Sequence, residues 1–432
     1  MRGRPNLYVS YSAEMSLLPT WTQRVAAIVF LGFLVLIPLQ SADGGGIIPG
    51  LGFLGDSGWM RILSEVLILA IGALGLHILT GLTGQVSLGH AFFMGVGAFT
   101  AAVLGGETGK ATWGLGLPIW IWLPAAGIVA ALVGALVAPT AVRVRGIYLA
   151  IVTLGLVFIG EWLWRSLPDI TGGSQSGREF PGMTLRVWQE EEPLIDFGSD
   201  GPLWIILKPI DWLIPWVSVE EMSGEAKTYL FLLLLTVIAV VVTKNVQRTR
   251  PGRSFMAIRD RDVAAEIMGV PEARSKAVSF ALSSFYAGVA GALLGAFTLR
   301  LIPESFGLFL SVQFLAILLI GGVGTVAGTL MGAVLVGVLP RIVQDLTDTL
   351  DRTVETGTGF FAPVADVVMS TGPDDFGLVS TLAGKSPGFN VSQLNIFLYG
   401  IILIVFLIFE PLGLYGIWLR IRNYWKGWPF TY

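Results

Sequence analysis

The chain of 432 residues has no cysteine and only two histidines, His77 and His90. Without thiols it has no disulfide framework, no thiolate nucleophile and no zinc ribbon, and two imidazoles cannot close a histidine cage. Neither a metal nor a cofactor is expected. Charge is scarce as well: 27 Lys and Arg with 30 Asp and Glu make up 13% of the chain, about half the ~25% of soluble domains. With 54% apolar residues, that scarcity excludes an ordinary water-soluble globule. A net charge of −3 gives no general affinity for nucleic acid. Catalytic signatures are missing too. A phosphate loop needs Gly-x4-Gly-Lys-Ser/Thr, but Gly384-Lys385-Ser386 has Val379 where the first glycine belongs, and Gly109-Lys110 is followed by Ala111. No His-Glu-x-x-His pair occurs, so no catalytic residue is assigned and an enzyme is not expected.

What the chain does have is long apolar runs and 55 glycines. A helix needs about 20 residues to cross about 30 Å of hydrocarbon. Candidate spans fall at 24–39, 62–80, 87–104, 118–139, 147–165, 228–243, 277–299, 312–320, 323–340 and 394–412. The expected fold is therefore all-α and polytopic, with about 10 transmembrane segments, some of them broken or re-entrant. The segment 312–340 is the clearest re-entrant candidate, because Gly321, Gly322 and Gly324 interrupt two short apolar runs. The first run, after Arg24, reads as an uncleaved helix, with a signal peptide ending near Ser41-Ala42 as the alternative.

Sidedness follows from the bases. With the N-terminus inside, the inner segments carry Arg2, Arg4 and Arg24, then Arg143 and Arg145, then Lys244, Arg248, Arg250, Arg253, Arg259, Arg261, Arg274 and Lys276, then Arg420, Arg422 and Lys426. Residues 166–227 and 341–393 become outer loop insertions, 244–276 a cytosolic loop, and both termini cytosolic. Trp204 to Trp216 is expected to lie along the outer interface, and Trp418, Tyr424, Trp425 and Trp428 to form an inner aromatic belt.

The sharpest local feature is Gly81-Leu82-Thr83-Gly84-Gln85-Val86-Ser87-Leu88-Gly89-His90, polar and glycine-rich between two apolar runs. Irregular backbone at membrane depth is allowed only where protein buries it or water lines it. One reading makes it a helix break on a translocation pathway, with free N–H groups near Ser87 for a polar solute. The other makes it a cytosolic turn with Ser87 as an N-cap. His77 and His90 read as packing residues, Glu65 and Glu161 as paired, neutral or water-facing carboxylates. Packing also accounts for Gly288, Gly291 and Gly295, and for Gly324, Gly328 and Gly332. In 251–270, Phe255, Ile258, Val263 and Ile267 form one apolar stripe of a short helix that Gly269 ends in a left-handed cap. That helix either docks a partner or lies on acidic lipids.

Six stretches in one order resemble a known family: Gly81 to His90, Arg143 to Leu154, Thr171-Gly172-Gly173-Ser174, Arg253 to Gly269, Gly321 to Gly328, and Glu410 to Gly416. Together they resemble the LivM-type permease subunits of branched-chain amino-acid ABC importers. The resemblance implies an ABC importer permease fold over 1–420, a cytosolic tail at 421–432, and a bacterial plasma (inner) membrane location. It also implies a heterodimer with a homologous permease subunit, two cytosolic ABC ATPases that carry ATP hydrolysis, an external solute-binding protein and a small-molecule substrate, all among membrane lipids. On that likeness Arg253, Arg259, Ala264, Ala265, Glu266 and Gly269 couple to the ATPase, while Gly81, Gly84, Gln85, Ser87, Gly89, His90, Gly321, Gly322 and Gly324 border the pathway. Related permeases carry urea or short-chain amides. A stand-alone secondary transporter or channel is the alternative of another class. The chain departs from the family in one extra residue after Gly173 and in a longer insertion over 342–393.

Overall fold

Each apolar run overlaps a helix, because a backbone out of reach of water must satisfy its N–H and C=O groups within its own segment. The computed structural model describes residues 21–39, 52–107, 112–144, 146–173, 177–186, 195–199, 223–356, 369–370, 379–380, 389–410 and 412–427. In chain order the helices are α1 Trp21–Leu36, α2 Ser57–Leu76, α3 His90–Gly105, α4 Ile119–Arg143, α5 Ile147–Ser166, α6 Gly224–Arg248, α7 Arg250–Ile267, α8 Glu272–Thr298, α9 Leu308–Gly321, α10 Val326–Thr356, α11 Val391–Phe409 and α12 Gly413–Gly427. The expected segment 204–216 lies outside the described residues.

Among the described residues seven helical segments are long and apolar enough to cross a membrane: Ser57–Leu82, Ile119–Arg143, Ile147–Ser166, Gly224–Arg248, Glu272–Thr298, Pro303–Gly321 and Val326–Thr349. Among the described residues Trp21–Leu36, His90–Gly105 and Ile396–Phe406 are apolar but shorter, so spanning length is reached by seven of the about 10 expected segments. Sixteen residues of α3 rise only about 24 Å at 1.5 Å each, short of the hydrocarbon thickness. Two expected boundaries also change. A helical turn at Pro303–Phe306 extends the run 312–320 backwards to spanning length, and α10 runs on to Thr356, into the expected loop 341–393.

The chain divides into two compact units, Met1–Ser311 and Val312–Tyr432. In the first, α8 is the central helix, packed on α4, α3 and α2, while α6 packs on α2. Small residues allow this. A Cβ on Gly291 would collide with the Met94 carbonyl of α3, and one on Gly288 would lie 2.5 Å from Ala130 Cβ of α4. These glycines form a packing face, as their helical spacing anticipates. Phe92, Phe99, Trp164 and Phe306 make a ring cluster at 5.3–6.1 Å. By contrast α4 and α5 leave Ile128, Leu132, Leu136, Ile151, Phe158 and Ile159 exposed, the surface expected of helices that meet lipid or another apolar chain.

Two short antiparallel pairings close one end of this unit, Arg178–Glu179 with Arg300–Leu301 and Thr184–Leu185 with Ile195–Asp196. In the second unit α10 packs on α11 and α12, and three two-residue strands at 369, 379 and 389 pair in parallel. Arg420 of α12 forms an ion pair of 2.6 Å with Glu410, and Trp418, Tyr424 and Trp425 are exposed.

Candidate functional site

The polar break begins inside the helix. After Leu76 the chain widens into a π-helical turn, His77–Leu82, and leaves helical structure at Thr83. The hydroxyl of Thr80 donates to the Gln85 carbonyl at 3.0 Å, and the Gln85 N–H donates to the Leu79 carbonyl at 3.2 Å, which folds the irregular exit back on the helix. Carbonyls of a last helical turn lack intrahelical donors. Arg259 of α7 supplies one, donating from Nη1 to the Gly81 carbonyl at 2.9 Å, a favourable place for a cation. Gly84 stands at φ 71°, where a Cβ would lie 3.0 Å from Arg259 Cγ. Glycine is required there both for the left-handed backbone and to leave room for the arginine.

Gln85 is buried, and its amide donates to the Thr83 hydroxyl at 3.0 Å and the Ser279 hydroxyl at 3.3 Å. Both hydroxyls spend their single proton on carbonyls, Leu79 and Lys276, so neither can donate back to glutamine. Gln85 Oε1 is consequently buried without a partner. Such an orphan acceptor costs about 1–3 kcal/mol and is satisfied only by an arriving N–H or O–H donor.

The expected free N–H groups near Ser87 are not free, which corrects that part of the sequence reading. Leu88 N–H donates to Thr153 Oγ1 at 3.0 Å, Gly89 N–H to Ser87 Oγ at 3.2 Å, and Ala91 N–H to Ser311 Oγ at 3.0 Å. The start of α3 is thus capped by α5 and by Ser311. Ser87, His77 and His90 are all buried, and a Cβ on Gly89 would sit 2.9 Å from the Thr153 carbonyl, so these residues are closely packed.

Thr83, Gly84 and Gln85 instead border a cleft of about 240 Å³ together with Gly146, Arg259 and Lys276. It joins the connection after α2, the α4–α5 turn and α7, so three loops expected on one side converge here. The break is thus a turn between helices whose Gln85 end lines a polar cleft.

Helix α7 departs from the expected single stripe. Arg261 takes φ −159° and ψ 102°, which kinks the helix and rotates its second half. Phe255 and Ile258, before the kink, are buried, whereas Val263, Ile267 and Met268 after it are 59%, 80% and 84% exposed. Ala265 is buried, while Arg253, Ala264 and Glu266 are exposed. Gly269 does cap the helix in the left-handed conformation, φ 84°, with its N–H on the Glu266 carbonyl at 2.9 Å and the Val270 N–H on Ala265 at 2.9 Å.

Gly321, Gly322 and Gly324 occupy the α9–α10 turn in the second unit. Gly322 and Gly324 have φ of 118° and 87°, and a Cβ on Gly322 would meet the Leu412 carbonyl at 2.6 Å. Gly328 and Gly332 approach Gly321 and Ile317, so they pack the hairpin.

Sequence reasoning missed Arg178. It is buried and donates to the carbonyls of Ile170, Trp113 and Ala102, the last at 2.7 Å, tying three loops to the end of α3. Burial pulls its pKa below the ordinary guanidinium value, and the three acceptors offset that cost. An arginine after a glycine-rich loop shows no periodicity, so nothing in the sequence marked it. Among the described residues no group of side chains has the makings of a metal site.

A family model described as the permease component of the branched-chain amino acid transport system matches residues 59–370. The chain is 32% identical over 298 residues to the high-affinity branched-chain amino acid transport system permease protein LivM of Salmonella typhimurium and, to the same extent, of Escherichia coli. Each alignment covers 68% of this chain and 66% of the relative, just under two thirds of its length. The chain is also 27% identical over 180 residues to the autoinducer 2 import system permease protein LsrC of Photorhabdus luminescens, covering 39% of this chain and 48% of that protein. No solved structure matches it.

Proposed function

The chain belongs to the family of branched-chain amino acid transport permease components and is a multi-pass membrane protein, and from this we propose that it forms half of the translocation pathway of an ATP-driven importer in a bacterial plasma (inner) membrane. Its partners in this reading are a homologous permease subunit, two cytosolic ABC ATPases that hydrolyse the ATP, and an external solute-binding protein. Branched-chain amino acids are preferred as cargo because the likeness to LivM covers 68% of the chain against 39% for the autoinducer 2 permease.

One observation supports the reading most: Val263, Ile267 and Met268 stand exposed on the kinked half of α7, in the most basic part of the chain. Exposed apolar side chains at a helix end outside the spans suit insertion into a partner's groove. In this reading Arg253, Ala264, Ala265, Glu266 and Gly269 belong to that coupling element, and Arg259 links it to Gly81. The basic residues Arg143, Lys244, Arg248, Arg250, Arg259 and Lys276 lie toward the Gln85 end of the helices, and in this reading that end and both termini are cytosolic. Residues 421–432 are then a cytosolic tail, and Gly321, Gly322 and Gly324 belong to the pathway residues of this reading. Affinity purification of the tagged chain should bring down an ABC ATPase and a second permease, and cells should accumulate leucine and valine in preference to urea or acetamide. In intact cells an impermeant maleimide should label Ser199→Cys and spare Thr249→Cys; the reverse pattern rejects the orientation.

The same reading gives Gln85 a task. Its partnerless Oε1 accepts a weak, passing hydrogen bond from the solute, and weakness matters because tight binding would trap it. Gln85→Ala should lower the maximal uptake rate several-fold and leave the half-saturating external concentration unchanged. Gly84→Leu should do worse, since it displaces Arg259 from Gly81. Wild-type uptake by both variants would reduce the segment to a turn.

A further inference from the structure

A second cleft of the first unit, about 230 Å³, lies at the opposite end of α2 and α8 from the Gln85 cleft. It is built from the first turns of α2 and α6, the hairpin that carries Ile195–Asp196, and the end of α8. Four features of it point to a ligand. Arg61 contributes a guanidinium, held along an apolar wall 5.6 Å from the Phe297 ring centroid. Asp196 and Glu225 contribute carboxylates; one Asp196 oxygen accepts the Gly198 N–H at 2.9 Å, and the carboxylate retains further acceptor capacity. Ser64 also lines the cleft; it is 1% exposed and its hydroxyl has no hydrogen-bond partner. Phe197, buried, completes an apolar wall with Phe297.

Charges of both signs in so small a space select among solutes. A simple anion is opposed by the two carboxylates, a simple cation leaves Arg61 unengaged, and a neutral amide engages neither sign by charge. A zwitterion satisfies both signs at once, its carboxylate on Arg61 and its ammonium on Asp196 and Glu225, in the charge-assisted geometry that makes such contacts strong. The hydroxyl of Ser64 adds a donor or acceptor, and the aromatic wall receives an aliphatic side chain. The volume is below the ~300–1,000 Å³ of drug-sized pockets, which suits a single amino acid.

We propose that this cleft is an amino-acid site on the permease itself, where the α-carboxylate pairs with Arg61, the α-ammonium with Asp196 and Glu225, and the side chain lies against Phe197 and Phe297. The assignment rests on the import reading above and places the solute at the outer mouth, before the Gln85 cleft.

Because the chain lacks cysteine, Leu299→Cys, an exposed residue of the cleft rim, gives a single reporter thiol. The full-length protein in lipid nanodiscs, where both faces are accessible, is reacted with a small thiol reagent with and without millimolar L-leucine. Leucine should slow the reaction several-fold. Leucinol and isovalerate, each keeping one of the two charges, should protect less. Arg61→Gln should abolish protection and Arg61→Lys should restore part of it. If leucine gives no protection while cells carrying the chain still accumulate it, the site is overturned and the import reading stands. If acetamide or urea protects and leucine does not, the zwitterion assignment falls and the amino-acid reading falls with it. Equal protection by leucinol and leucine overturns the role of Arg61 even where the Arg61 variants do not fold.

Discussion

Aspartate at both Ile267 and Met268 will leave the protein folded and inserted but abolish uptake and ATPase copurification. The two side chains are 80% and 84% exposed, so within the chain their replacement touches little, and surface changes of this kind usually move stability by no more than ~0.5 kcal/mol. Docking reverses the sign of the argument. If this half of α7 seats in an ATPase groove, two carboxylates must be desolvated there without partners, at several kcal/mol each in rough terms. Each ~1.4 kcal/mol weakens association tenfold, so a loss of at least a hundredfold is expected. Detergent extraction followed by affinity purification reads the ATPase directly, and uptake of labelled leucine reads the consequence. Gly269→Pro combined with Glu266→Ala is a harsher version, because proline fixes φ near −65° where the cap holds 84°. Normal uptake with normal copurification from the aspartate pair would reject α7 as the coupling element and favour its lying on lipid.

The largest effect on folding is expected from Gly291→Leu. At this position α8 passes so close to α3 that even a Cβ collides with the Met94 carbonyl, and backbone cannot be displaced as a flexible side chain can. The two helices must separate, and α8 is also the helix against which α2 and α4 pack. Overpacking a well-filled core commonly costs 1–3 kcal/mol, and a backbone collision at the central helix should exceed about 3 kcal/mol. Gly155→Leu is the matched control: it lies on α5 with nothing within 4 Å of its added Cβ. Thermal unfolding followed by size-exclusion in detergent should show Gly291→Leu aggregated or strongly destabilised and Gly155→Leu close to wild type. Similar behaviour of the two variants would mean that the glycine face of α8 is not a packing constraint.

Most of the helices were legible because their signal is local. A run such as 228–243 carries its own hydropathy, and Gly288, Gly291 and Gly295 repeat at helical spacing, so each announces a helix and its packed face without reference to the rest of the chain. Boundaries were less legible. The helix α10 extends past the apolar run because the mixed polar and apolar residues 341–356 continue an α-helix as readily as they form a loop, and hydropathy does not distinguish the two. The single stripe assigned to 255–267 failed for a related reason: helical periodicity assumes an unbroken helix, and the kink at Arg261 moves Val263 and Ile267 off the face that buries Phe255 and Ile258.

The sequence by itself determined that this is a helical, cysteine-free membrane chain with a polar glycine break and a basic loop, since composition and period are properties of neighbouring residues. Tertiary structure alone decided what those features touch. Arg259 meets Gly81 across 178 positions, Gln85 meets Ser279 across 194, and Arg61 shares a cleft with Asp196 and Glu225. It also decided that the N–H groups after Ser87 are already taken and that Arg178 is buried among carbonyls. Hydrogen bonds and ion pairs form over about 3 Å, a length on which only the packed arrangement of distant helices, and not their order along the chain, determines which donor meets which acceptor.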